Sequence, residues 1–211
     1  MCNFKDLIKN KNMKKIVFVL SIALVGLTYS CKEVKKEAQE AGEEVEATVN
    51  EIQESMEAKM TEKTMTITLM PKSDSNVKGE ATFTQKNGTV MMVATLSGLT
   101  PGVHAIHLHE NADCSAADGT STGGHWNPTF QPHGKWGVAE GYHKGDIGNF
   151  TADADGNGKV EFSTEEWCIG CDDDTKNIIG KAVIVHQGTD DFTTQPTGDA
   201  GARVSCAGII Q

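Results

Sequence analysis

The 211-residue chain carries 29 Asp and Glu against 19 Lys and Arg, a formal net charge of −10, and 38% of its residues are hydrophobic. That length accommodates one domain with appendages, or at most two small domains. No basic patch interrupts the acidic balance, which excludes nucleic acid as a partner.

At the start of the chain, Met13-Lys14-Lys15 precedes an apolar run from Ile16 to Leu27, followed by small or polar residues up to Cys31. A positive start, a run of about 12 apolar residues and a processing site predict an export signal over residues 1–30, too short for a membrane span. Met13 is the expected translational start, which would leave Cys2 unmade. Cys31 after Ser30 matches the lipid-acceptor cysteine of a bacterial lipoprotein, although Leu27 lies one residue further upstream than in the usual lipobox. Signal cleavage near Ser30 with a free Cys31 is the alternative. The expected location is the periplasm or cell envelope of a Gram-negative-type bacterium, with membrane contact through the anchor. Removal of residues 1–30 leaves 14 basic and 28 acidic side chains, a net of −14.

From Lys32 to Lys63 the chain is rich in Glu, Lys and Ala. Val34, Ala38, Ala41, Val45, Val49, Ile52 and Met56 recur at steps of three and four, which predicts a helix with a narrow apolar stripe. Residues 31–63 read as a charged helical linker that lifts a domain off a membrane, in preference to a coiled-coil partner site.

After Thr64 the period becomes two. Met65–Leu69, Ala81–Thr84, Val90–Leu96, His104–His109, Gly148–Ala152, Gly158–Phe162, Ala182–His186 and Arg203–Ile209 are the predicted strands, with Lys86-Asn87-Gly88 as a tight hairpin. Two long Gly-rich stretches, Glu110–Asp146 and Gln187–Ala202, break the rhythm, and long ordered loops in a compact domain are usually functional. The expected fold over residues 64–211 is all-β: an eight-stranded Greek-key sandwich or barrel with two working loops.

Six of the seven histidines, with one aspartate, form a series across this region: His107-x-His109, then His125-x7-His133-x9-His143-x2-Asp146, then His186. Imidazole is the commonest ligand for copper and zinc, and a carboxylate among imidazoles suits zinc. Six rings and one carboxylate exceed one tetrahedral ion and suit two neighbouring ions that share a ligand. His107 and His109 lie two apart on one strand and so face the same side. His104 has the opposite parity, which assigns it to packing or hydrogen bonding. Four cysteines follow Cys31, and spacing alone leaves three pairings open. Trp167-Cys168-Ile-Gly-Cys171 has the look of a thioredoxin-type redox motif, but it sits between strands and before Asp172, Asp173 and Asp174, so a structural disulfide between Cys168 and Cys171 is expected. Asp153-Ala-Asp155-Gly-Asn157-Gly158 imitates a calcium loop, yet Thr164 stands where a bidentate Glu is needed, and a hairpin turn is expected.

His104-Ala-Ile-His-Leu-His-Glu, Gly-Gly-His125-Trp-Asn-Pro, His133-Gly, His143-Lys-Gly-Asp146-Ile-Gly-Asn149, Ile-Ile-Gly180-Lys-Ala-Val-Ile-Val-His186 and Gly198-Asp-Ala-Gly-Ala-Arg203-Val-Ser-Cys206 together resemble the copper/zinc superoxide dismutase family over residues 64–211. The resemblance implies copper at His107, His109, His125 and His186, and zinc at His125, His133, His143 and Asp146, so that His125 bridges the two. It implies that Asp190 ties a copper-ligand ring to a zinc-ligand ring, that Arg203 orients superoxide, and that Cys114 pairs with Cys206. It also implies catalytic roles for Arg203 and His125 and superoxide as the substrate, with a homodimer as the candidate assembly. Animal members carry a steering lysine in the loop matching Gln187–Ala202, which here holds none; Lys135 and Lys144 are the candidates to replace it. Trp126 and Trp136 are expected to wall the site. The alternative function is a non-catalytic lipoprotein that stores or delivers copper or zinc. A metallohydrolase is disfavoured, because no general-base Glu accompanies an open zinc position.

Overall fold

The structure, a computed structural model, describes residues 62–211; the signal, Cys31 and the linker up to residue 61 lie outside the described residues. Eight strands follow in order: β1 (Lys63–Pro71), β2 (Lys78–Lys86), β3 (Thr89–Ser97), β4 (Gly102–His109), β5 (Gly148–Ala152), β6 (Gly158–Thr164), β7 (Ala182–His186) and β8 (Arg203–Gly208). They close into a barrel ordered β1-β2-β3-β6-β5-β4-β7-β8. The jump from β3 to β6, and the insertion of β4 beside β7, is the expected Greek-key crossover.

Local chemistry explains the first half of the ring. In β3, Val90, Met92, Ala94 and Leu96 point inward while their neighbours are more exposed, the period-two signature of a half-buried strand. Asn87 and Gly88 both take positive φ, 53° and 83°, which gives the two-residue turn whose twist suits a hairpin. Leu69, Phe83, Met92, Ile106 and Leu108 are fully buried in the core, each stabilising the fold by about 1.5–3 kcal/mol.

β4 and β7 differ, being buried on both faces. Their inner face joins the core through Ile106, Leu108, Val183 and Val185. Their outer face lies under the two long connections, Glu110–Asp146 and Gln187–Ala202. The ring is thinnest at two seams: β5 meets β6 at a single pair, Ala152 with Gly158, and β1 meets β8 at Met70–Cys206 and Pro71–Ser205. The turn between β5 and β6 is the hairpin expected in place of a calcium loop, with Asp153 Oδ1 accepting from the amides of Asp155 and Asn157.

Candidate metal centre

Strand register places the first four histidines. On β4, His107 lies opposite Ile184 and His109 opposite Ala182 of β7, so both rings leave the outer face beside His186. The β7–β8 register shifts between Val185 and His186 and brings Arg203, rather than Val204, opposite His186; such bulges re-aim side chains. The long loop then runs back along β4. The Trp126 amide donates to the Leu108 carbonyl (2.8 Å) and the Glu110 amide to the Gly124 carbonyl (3.0 Å), which pairs His125 with His109 as a β-bridge. The His125 ring centroid is 4.0 Å from that of His107, 5.0 Å from His109, 5.3 Å from His133 and 5.7 Å from His143.

Two ligand sets emerge among the described residues, each with donor atoms within 4.8 Å of one another: His107, His109, His125 and His186; and His125, His133, His143 and Asp146. Hydrogen bonding decides which nitrogen each ring keeps free. His107 Nε2 donates to Asp190 Oδ2 (2.9 Å), and His133 Nε2 donates to Asp190 Oδ1 (2.9 Å). His109 Nδ1 donates to the Gly123 carbonyl (2.9 Å), and His186 Nδ1 to the Gly201 carbonyl (3.3 Å). Neutral imidazole has one N–H, so each remaining nitrogen presents a lone pair. The Nε2 atoms of His109 and His186 face each other at 3.4 Å. Nδ1 of His107, His133 and His143, and Nε2 of His125, are buried without a hydrogen-bond partner.

Burial of such atoms without a partner is costly. Lone pairs converging on shared points are the arrangement a cation completes, and ligating histidines characteristically give their other nitrogen to a carboxylate or carbonyl. The residues therefore fit metal ions in both sets. Four imidazole nitrogens suit Cu(II), and three imidazoles with a carboxylate suit zinc.

The carboxylates are arranged to remain ionised. Asp146 Oδ2 accepts from the amides of His143 (2.8 Å) and Gly134 (3.2 Å), which leaves Oδ1 facing His125 Nδ1 (2.8 Å). Burial alone would raise its pKa, but the His125 ring, the nearby rings of His133 and His143 and the His143 amide hold it far below the carboxylate range. Asp190 is likewise held low: burial is outweighed by hydrogen bonds from His107 and His133. Asn149 brackets the Asp190 backbone, accepting from its amide and donating to its carbonyl, both at 2.8 Å. Burial pushes His125 down to about 4, so this ring is neutral at physiological pH. His133 goes up to about 9, because Asp146 and Asp190 outweigh its burial.

Arg203 is fixed from the loop side. Its guanidinium donates to the Gly119 carbonyl (2.8 Å), Thr122 Oγ1 (2.9 Å) and the Gly123 carbonyl (2.8 Å). Of the five N–H donors of a guanidinium, these bonds engage three, and the other two have no partner among the described residues. The Cys114–Cys206 disulfide joins this loop to β8, and the Lys72 ammonium caps the carbonyls of Cys114 and Ala116. The second disulfide is Cys168–Cys171, as expected.

The remaining sequence expectations divide. His104 bridges two carbonyls, those of His186 (3.0 Å) and Thr100 (2.8 Å), the hydrogen-bonding role its parity indicated. Lys135 is exposed, whereas the Lys144 ammonium pairs with Glu166, which discounts its charge as a steering group. Trp126 is buried in the core and Trp136 packs tilted against Tyr142 and edge-on against Phe162, so both back the loop from the barrel side. Sequence reasoning missed Thr122, Gln195, Glu166 and Trp167. The Gln195 amide accepts from the His133 amide and donates to the His133 carbonyl, both at 2.8 Å. Only its place within a long loop hinted at this.

Fold and site together define a β-barrel protein with twin histidine-rich ligand sets sharing one ring. The family model described as copper/zinc superoxide dismutase matches residues 77–209. A relative named copper–zinc superoxide dismutase 2, from Mesembryanthemum crystallinum, is 38% identical over 144 residues, 65% of this chain and 88% of that protein. The crystal structure of a double mutant of an SOD-like protein from Bacillus subtilis aligns with a TM-score of 0.61 and 29% identity, covering 69% of this chain and 97% of that one. The chain belongs to the copper/zinc superoxide dismutase family.

Proposed function

We propose that the protein converts superoxide to dioxygen and hydrogen peroxide, with copper held by His107, His109, His125 and His186 and zinc by His125, His133, His143 and Asp146. The observation that carries this reading is the His125 ring, which belongs to both sets, with Nε2 buried and unpartnered and Nδ1 facing the Asp146 carboxylate. Copper held there would supply one-electron exchange with successive superoxide ions, and zinc would supply fixed charge without redox chemistry. Arg203 binds and orients the anion with its two remaining N–H groups, the other three being spent on the loop. His125 holds and releases a proton at Nε2 for the reduced product, a general-acid role suited to imidazole. Asp190 fixes the ring orientations of His107 and His133 through one carboxylate.

The mature chain is strongly acidic, and local fields rather than net charge steer a small anion. Lys135 is exposed in the loop that carries the zinc-set residues and supplies attraction that the Gln187–Ala202 loop, without lysine, does not. The complete ligand set together with Arg203 favours catalysis over metal storage. The two disulfides favour the oxidising compartment that the N-terminal segment predicts, and a lipid-shifted mass at Cys31 would establish the anchor.

The deciding experiment combines metal analysis with superoxide turnover at varied ionic strength, on the parent and on Lys135→Gln. One copper and one zinc per chain are expected, with turnover that falls with salt and falls less steeply in Lys135→Gln. A fully metallated yet inactive protein, or one that takes zinc alone, would point to storage.

A further inference from the structure

His143 is the exception in the zinc set. His107, His109, His133 and His186 each give their second nitrogen to a carboxylate or carbonyl, and His125 faces both sets. Among the described residues, Nε2 of His143 has no such partner, so something other than a ring hydrogen bond must fix its direction. The residues on either side of it are gripped instead. The Tyr142 hydroxyl donates to Glu166 Oε1 at 2.7 Å, the Lys144 ammonium pairs with Glu166 Oε2, and Trp167 Nε1 donates to the Lys144 carbonyl at 2.8 Å.

The gripping segment is itself rigid. Trp167 is buried and packs against Phe162 (4.9 Å) and Trp136 (6.0 Å), and Trp136 packs tilted against Tyr142 (4.9 Å). The Cys168 amide donates to the Lys176 carbonyl (2.8 Å), the Ile169 amide to Gln85 Oε1 (2.6 Å), and the Cys168–Cys171 bond closes the turn that follows. We propose that Glu166 and Trp167 are positioning residues for zinc: through Tyr142 and Lys144 they aim His143 at the metal, and the Cys168–Cys171 turn anchors them to the barrel. On this account the Cys-x-x-Cys element braces a ligand and performs no redox chemistry of its own.

The proposal rests on the zinc reading of His125, His133, His143 and Asp146. The test measures zinc and copper(II) affinities of the metal-stripped protein separately, by competition with a chromophoric chelator, for the parent, Glu166→Ala, Glu166→Gln and Trp167→Phe. Groups that orient metal ligands typically govern affinity by about 10- to 100-fold. Glu166→Ala is expected to lose about tenfold in zinc affinity at the low end of that range. Trp167→Phe, which keeps the ring bulk, and Glu166→Gln, which keeps an acceptor for the tyrosine, are expected to lose less. Copper(II) affinity stays at the parent value, while the visible bands of cobalt(II) in the zinc position shift in all three variants. Folded variants with parental zinc affinity, or an equal loss for both metals, overturn the proposal. A parent that binds no zinc at this set takes down the zinc reading, and the proposal with it.

Discussion

At residue 198 the backbone runs at φ +68° against Asp190 and His133, and an added Cβ would overlap Asp190 Oδ1 and lie 2.6 Å from His133 Nε2. Only glycine lets that carboxylate reach both rings. Gly198→Ala is therefore expected to destabilise the metal-free protein by about 1–3 kcal/mol, the usual cost of overpacking, and to weaken zinc and copper binding together. Urea unfolding and metal titration check both. The residues that gather in the two sets were legible in the sequence because their identity is chemistry: rings two apart on a strand, and a dense His/Asp series in one loop. The groups that orient them were not. Gln195 reaches His133 across 62 positions and Glu166 reaches Lys144 across 22, and single-residue chemistry carries no trace of such partners.

Among the elements, β5 and β7 match their expected bounds, since β7 is apolar on both faces as far as His186 and one face of β5 is apolar throughout. β1 and β2 run further than expected, because Lys63, Thr64, Lys78 and Lys86 extend the ladder through backbone pairing that side-chain pattern does not record. The loops are more regular than their composition indicated, since residues 124–126 pair alongside β4. Cys114–Cys206 spans a sequence separation of 92. Closing a loop of that size stabilises by about 4–5 kcal/mol in the chain-entropy model. The double variant Cys114→Ser with Cys206→Ser should lose stability of that order. It should also bind azide, a superoxide-like anion, more weakly, because the loop that holds Arg203 loses its tie to β8. Calorimetry and azide titration of the copper-loaded variant test the two effects separately.

For the molecule as a whole, the shifted histidines set a pH profile. His133, ordinarily near 6.5, stands at about 9 in the folded protein, so its proton stabilises the metal-free fold fully below 6.5, and that stabilisation is lost as pH rises toward 9. His125, drawn down to about 4, acts oppositely: below 6.5 the unfolded chain takes up the proton first, and stability falls until about 4. Asp146 and Asp190, held low, add a further loss in acid. Metal-free stability should peak near pH 6.5 and decline on both sides, as urea midpoints across pH will show. A flat profile would refute the assignment. Zinc uptake at pH 7–8 should release about one proton, from His133, visible as a dependence of binding heat on buffer ionisation.

The two thin seams divide the ring into strands β1-β2-β3-β6 and β5-β4-β7-β8, and every ligand comes from the second group or from the loops it carries. Local opening starts where structure is least secured. Breathing should therefore part the barrel at its joints, half by half. Loading with metal should then slow amide exchange sharply in Gly102–His109 and Ala182–His186 and leave Lys78–Ser97 little changed. Bound ions would act as a lock on one half of the molecule, and the other half would report its independent looseness.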